Sequence, residues 1–129
     1  IEKRNFAALG YTKTATDYAE RVLAIAPDYH DAYLSTGLGK YIIGTKPAPV
    51  RWLLRLGGMK GDIDEGMADL KIAAEHGSYL SPFARLLLAV AYIRKEKREE
   101  AHRLLVALRD EFPKNPLFAV EAAKLEKPR

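Results

Sequence analysis

The sequence predicts an all-α protein of antiparallel helix hairpins, with one short helix inserted between two of them. Three observations predict it. Helix start and stop residues recur along the chain, and apolar residues return at three- and four-residue spacing. Nowhere do four to eight residues alternate between turn signals as a half-buried strand would. The connections between most helices are short, which favours antiparallel neighbours stacked in series.

The elements follow in order. Helices are expected over 2–9 and 13–26. Asp28 is placed to cap a helix over 29–43, which Gly44 stops. Pro49 opens a short helix over 49–56, and Gly57 ends it. Asp62 with Glu65 three residues on has the spacing of a capping box and starts 63–76, ended by Gly77. Ser81-Pro82 and Asn115-Pro116 each read as a cap followed by a first-turn proline, giving helices over 82–95 and 116–126. Between them, 97–111 carries Ala101, Leu104, Leu105 and Leu108 on one face, continued by Phe112, with Arg98, Glu99, His102, Arg103, Arg109 and Asp110 opposite. Such a helix must lay its stripe against a neighbour.

Composition narrows the class. At 129 residues the chain is one domain, and 48% apolar with 29% charged residues is a globular composition. The longest apolar run, Leu86 to Ile93, has eight residues, far short of a membrane span. Cysteine is absent, which removes disulfides, thiolate nucleophiles and cysteine metal sites and leaves the compartment open. The net charge is +4 and the pI about 9.3. In runs such as Arg94-Lys95-Glu96-Lys97-Arg98-Glu99-Glu100 the signs are mixed, as on a solvated helix rather than a phosphate-binding stripe. The chain begins at Ile1 and its first helix reads as cut short, as expected of a fragment or a processed protein.

An internal repeat is visible. Ala101-x3-Leu105-x2-Leu108-x4-Pro113 has the spacing of Ala15-x3-Ala19-x2-Val22-x4-Pro27. A third copy is Gly66-x3-Leu70-x2-Ala73, with Ser78 in the proline position. Leu88-Ala89-x2-Tyr92 precedes the 101 copy, and Ala32-Tyr33-x2-Thr36-Gly37 follows Pro27. Together these resemble the tetratricopeptide repeat, a helix pair with a period of about 34 residues. Gly37 and Ala89 are then the small residues where the first helix of a pair crosses the second, and Gly66, Ala101 and Ala15 are their counterparts. Residues 82–115 make one full repeat, 30–81 a repeat lengthened by 18 residues near 44–61, 1–29 a partial repeat, and 116–129 a capping helix. The chain departs from the pattern at Tyr33, Thr36 and Lys40, where Trp, Leu and Tyr are usual. A looser resemblance spans about 30 residues: Gly37-x-Gly39-x-Tyr41, then Leu56-Gly57-Gly58-x-Lys60-Gly61-Asp62-x3-Gly66. It is similar to a eukaryotic tetratricopeptide family of mitochondrial outer membrane association and inclusion-body clearance, and implies a scaffold with an inserted helix.

Motifs for chemistry are weak. Asp62-Ile63-Asp64-Glu65-Gly66 has a calcium-loop flavour, but Ala73 stands near where a bidentate Glu is needed. Gly57-Gly58-Met59-Lys60-Gly61 and Gly37-Leu38-Gly39-Lys40 fail the phosphate-loop pattern. His30, His76 and His102 lack metal-ligand spacing, and Glu75 and His76 point apart on a helix. No RNA-binding code is visible among the Tyr residues. The reading is therefore no enzyme, no cofactor, no metal and no nucleic-acid partner.

The resemblance implies a groove along the inner face of each first helix. In the second repeat that face is Asp31, Leu34, Ser35, Leu38, Tyr41 and Ile42; in the third it is Phe83, Leu86, Leu87, Val90, Ile93 and Arg94. It is mostly apolar and lacks, Arg94 apart, the basic set of a carboxylate clamp. An apolar face of that size needs a cover. The insert supplies a candidate, with Val50, Leu53 and Leu54 on one side, Arg51 and Arg55 on the other, and Trp52 and Leu56 on the flanks. So short a helix needs a surface to dock on. Its own groove is the favoured surface, ahead of a second protein or copy, and ahead of an anionic membrane interface. The expected function is a protein–protein interaction scaffold using Leu38, Tyr41, Arg51, Trp52, Arg55, Phe83, Leu87, Val90 and Arg94, and the alternative is a peripheral membrane-binding module using 49–56.

Overall fold

A computed structural model describes residues 2–127, and side chains over 7–127. Seven α-helices and one 3-10 turn make up the described chain, which contains no strand. They are α1 (Glu2–Ile25), the 3-10 turn His30–Ala32, α2 (Tyr33–Gly44), α3 (Ala48–Leu56), α4 (Ile63–His76), α5 (Ser81–Arg94), α6 (Arg98–Glu111) and α7 (Pro116–Glu126). The packed helix pairs are α1 on α2, α2 on α4, α4 on α5, α5 on α6 and α6 on α7; α3 belongs to none of them.

The pairing of α2 with α4 is made by two glycines. A Cβ on Gly37 would sit 2.8 Å from both the Gly66 carbonyl oxygen and the Leu70 amide nitrogen. A Cβ on Gly66 would sit 2.6 Å from the Tyr41 nitrogen. The two backbones therefore touch at positions the repeat pattern reserves for small residues. Gly39, two residues on, turns toward α1, where a Cβ would meet Thr16 Oγ1 at 2.5 Å. One helix thus approaches a neighbour closely on each side.

Below the crossing lies the first core cluster, Met67, Leu70, Ala73, Ala74, Ala84, Leu88 and Ala91, with Leu34, Tyr41 and Leu87 packed against it. A second cluster, Ala89, Leu105, Leu108, Phe118 and Ala122, joins α5, α6 and α7. The stripe expected on 97–111 is the buried one: Ala101, Leu105 and Leu108 are in the interior. Polar contacts tie successive helices at the edges. Arg85 meets Glu111 at 2.6 Å, and the Arg98 guanidinium donates to the carbonyls of Leu125 and Lys127 at the end of α7. A cation there satisfies carbonyls that the helix leaves open.

Several expectations are corrected. Residues 2–25 form one helix, not two, because a single internal glycine costs a helix only about 1 kcal/mol. Within it the Thr12 and Thr14 hydroxyls donate back to the Ala8 and Gly10 carbonyls. Ala15 and Val22, read as repeat positions, lie on the side of α1 away from α2. They belong to an exposed stripe with Tyr11, Tyr18 and Ile25, while Ala19 is buried and Thr12 and Thr16 lie against Gly39. Asp28 caps nothing; the chain enters α2 through the 3-10 turn. Ser81 does not cap α5 but donates its hydroxyl to the Ala74 carbonyl across the turn, at 2.7 Å. Asp62 and Asn115 are the side-chain caps the sequence expects, accepting from the Glu65 and Leu117 amides.

Asp31, which the repeat register puts in the groove, is interior. It is 4% exposed and accepts hydrogen bonds from the amides of Ser78, Tyr79 and Leu80 at 2.7, 3.0 and 3.3 Å. A buried carboxylate needs such donors, and the α4–α5 turn supplies three. Gly77 leaves room for it, since a Cβ there would be 2.6 Å from Asp31 Oδ1.

The crossing makes a paired prediction. Gly66→Ala should lower stability in urea denaturation by roughly 1–3 kcal/mol, because overpacking exceeds the gain in helix propensity. Gly10→Ala, whose Cβ would meet nothing within 4 Å, should raise stability by up to about 1 kcal/mol.

Candidate functional site

The site residues expected from the sequence fall on two apolar surfaces, and a polar seam lies beside them. The seam lies between α2 and α4. Asp69 on α4 accepts from Thr36 Oγ1 and Lys40 Nζ, both at 2.9 Å, with its side chain only 13% exposed. Burial pushes the Lys40 ammonium toward neutrality. The hydrogen bond and charge of Asp69, with Glu65 and Glu20 nearby, outweigh that and hold Lys40 above the ordinary lysine value. Thr36 and Lys40 are two of the three positions where the chain departs from the tetratricopeptide pattern. Here they make an ion pair with a hydroxyl donor in place of an apolar contact.

The first apolar surface is on α5. Phe83 is 62% and Val90 42% exposed, and Leu87 lies between them half-buried. Residues at i, i+4 and i+7 share one helix face, so these three form a single strip, with exposed Arg94 at its end. Leu87 also packs on the first core cluster, as does Tyr41 of α2. The strip and Tyr41 thus border one interior. Leu38 is half-buried on α2.

The second surface is α3. The insertion leaves the fold and returns at one point. The Asp62 amide donates to the Lys40 carbonyl at 3.1 Å, and a Cβ on Gly61 would collide with Ile43 and lie 2.6 Å from the Gly44 nitrogen. Between these ends α3 closes on itself. Gly58 takes φ +84°, the Met59 amide donates to the Leu54 carbonyl and the Gly58 amide to that of Arg55. This is a Schellman cap, with glycine in the left-handed position it requires. The stop residue is therefore Gly58 rather than Gly57. No residue of α3 is buried, and Trp52 and Leu53 are 65% and 63% exposed.

The structure therefore does not place the insert over the groove. Its return segment leans the other way. Gly58, Met59 and Lys60 form one wall of a cleft of about 290 Å³ completed by α1, α2 and α4, including Lys13, Asp17, Glu20, Lys40 and Glu65. No residue of α5 lines that cleft. Leu38, Tyr41, Phe83, Leu87, Val90 and Arg94 lie on α2 and α5, while Arg51, Trp52 and Arg55 stand apart on α3.

His76 Nε2 is 3.9 Å from Glu75 Oε2, beyond a hydrogen bond, and both side chains are exposed. The His30 and His76 rings approach to 5.4 Å between centroids. Among the described residues no group of three or more His, Asp or Glu could hold a metal ion. No helix of the described chain is long and apolar enough to cross a membrane. No protein-family model matches this chain, and neither a curated protein nor a solved structure matches it.

Sequence reasoning misplaced Asp31 and missed Asp69 and the exposure of Leu53 and Leu56. Asp69 stands three residues after Gly66, so it shares the helix face that meets α2 near Lys40; pairing the two polar departures across the glycine crossing would have found it.

The Lys40–Asp69 pair gives a pH prediction. A lysine whose folded pKa is raised contributes fully below its unfolded value, 10.5, and loses that contribution as pH climbs through the folded value. Lys40→Met should therefore cost about 1–3 kcal/mol at neutral pH. In urea titrations the gap to the unmodified protein should narrow above pH 10.5.

Proposed function

We propose that this chain is a non-catalytic helical-repeat scaffold of the tetratricopeptide kind, which binds a protein segment along the first helices of its repeats. The 34-residue spacing supports the repeat reading, and so does the glycine crossing of α2 with α4 at the pattern's small positions. On this reading α2–α4 and α5–α6 are the two helix pairs, α1 is the second helix of a preceding pair, and α7 follows as a cap.

One observation carries the binding assignment: Phe83, Leu87 and Val90 form an apolar strip on α5 that no other helix covers. Burying a side chain such as Phe or Val stabilises a complex by about 1.5–3 kcal/mol relative to leaving it in water. Leu38 and Tyr41 extend the surface along α2, and Arg94 gives a charged rim that orients an acidic group of the partner. A strip of this kind suits a short amphipathic helix or extended segment rather than a large globular face.

The test is site-specific photocrosslinking in the native host. A photoreactive residue at Phe83 or Val90 should capture one discrete protein, and the same residue at Glu99 on the outer side of α6 should not. Capture should disappear with Leu87→Asp if circular dichroism shows the fold intact. Equal capture from Phe83 and Glu99 contradicts the assignment.

A further inference from the structure

We infer that α3 and its flanks form an anchor for an anionic lipid surface, a function separate from partner binding on α5. Successive helical residues are 100° apart, so Trp52, Leu56, Leu53, Val50 and Leu54 sweep one arc of about 200°, and Arg51 and Arg55 occupy the middle of the remainder. Of the arc only Leu54 is half-buried; its centre, Leu53, and both neighbours face solvent. An amphipathic helix that belongs to a fold buries its apolar side. This one turns it outward.

Charge selects the occupant. Residues 46–61 contain Lys46, Arg51, Arg55 and Lys60 and no Asp or Glu. The whole chain has 21 Lys and Arg against 17 Asp and Glu, so the other residues balance and the net +4 resides in this one insertion. A basic, apolar-faced helix with an interfacial Trp matches a surface whose outer layer is anionic and whose next layer is hydrocarbon. An acidic protein groove offers the charge without demanding so broad an apolar arc. Arg51 and Arg55 lie opposite Leu53, where long side chains reach headgroup phosphates while the leucines and Trp52 sit deeper.

The backbone is prepared for the same setting. A helix end that enters a water-poor layer pays for each open N–H and C=O. Pro49 removes one N-terminal donor, and the Arg51 amide donates to the Pro47 carbonyl. At the other end the amides of Gly57, Gly58 and Met59 donate to the Leu54 and Arg55 carbonyls. The anchor rests on a closed base, where Asp62 and Gly61 meet α2, so it can enter a lipid surface without opening the α2–α4 crossing.

The experiment uses the full chain, vesicle flotation and the fluorescence of Trp52, the only Trp. Vesicles of phosphatidylcholine alone are compared with vesicles containing about one quarter phosphatidylserine at low salt. The expected result is flotation with the anionic vesicles only, a blue shift and reduced iodide quenching of Trp52, and release at high salt. Replacing both arginines, Arg51→Gln with Arg55→Gln, should lower partitioning about thirty-fold. Leu53→Ser should weaken it as well, and far-UV circular dichroism should be unchanged in both variants because α3 packs in no helix pair. Three results overturn the inference. One is no flotation with anionic vesicles, or flotation indifferent to the arginines. Another is a Trp52 shift that follows protein concentration without lipid, which assigns α3 to a second copy. The third is polyglutamate shifting Trp52 as strongly as the vesicles do, which assigns it to an acidic protein.

Discussion

The contact between the backbones of α2 and α4 at Gly37 and Gly66 is the constraint on which the rest of this structure depends. Helix axes normally stay 8–10 Å apart because side chains hold them there. Removing two Cβ atoms at the crossing lets main chain touch main chain. That approach brings Lys40 and Thr36 within hydrogen-bond distance of Asp69, and it sets Leu70 and Met67 beneath α2 as the start of the core. It also brings the end of α4 to the 3-10 turn, where Asp31 holds the α4–α5 turn by three amides. α5 leaves from that turn, and α6 and α7 follow by the same hairpin logic. A defect at the crossing therefore propagates, whereas a defect in α3 does not.

The same crossing explains how the long excursion between α2 and α4 is tolerated. Loop-closure entropy grows only slowly with length, so a long excursion costs little once its ends are fixed. Here they are fixed by the pair itself, at Gly44 and Asp62. The excursion can then carry properties that the packed helices do not. The residues outside it balance in charge, while the insertion is basic and turns its apolar side outward. α5 and α3 present apolar surfaces of different character. The α5 strip is continuous with the core and rimmed by a single arginine, while the α3 arc is self-capped and flanked by four cations.

Much of the architecture was legible because it is written in short spacings. The small residues Gly37, Gly66, Ala89 and Ala101, the leucines of 97–111 and the caps at Asp62 and Asn115 all act within one turn or one helix pair. What was not legible depends on pairing between distant residues. Asp31 looks like a surface residue beside a turn; only the amides of residues 78–80 make it an interior one. Lys40 and Asp69 are 29 positions apart and acquire meaning only across the glycine crossing. α1 continues through Gly10 because a single internal glycine costs a helix only about 1 kcal/mol. The sequence also shows that the insert is amphipathic, and amphipathicity alone points to burial. Its outward orientation follows from where both ends are tied and from the lean of Gly58 to Lys60 toward α1. A segment-by-segment count of charge would have separated the insertion from the rest before any coordinates.

The most direct test is native-state hydrogen exchange resolved along the chain. The account holds that the α2–α4 crossing closes the fold without help from α3. Amides of α2 and α4 near Gly37 and Gly66 should then exchange only through global unfolding, while those of residues 52–56 should exchange through local opening that leaves the rest protected. Protection of 52–56 equal to that of α4, lost in the same cooperative step, would contradict it.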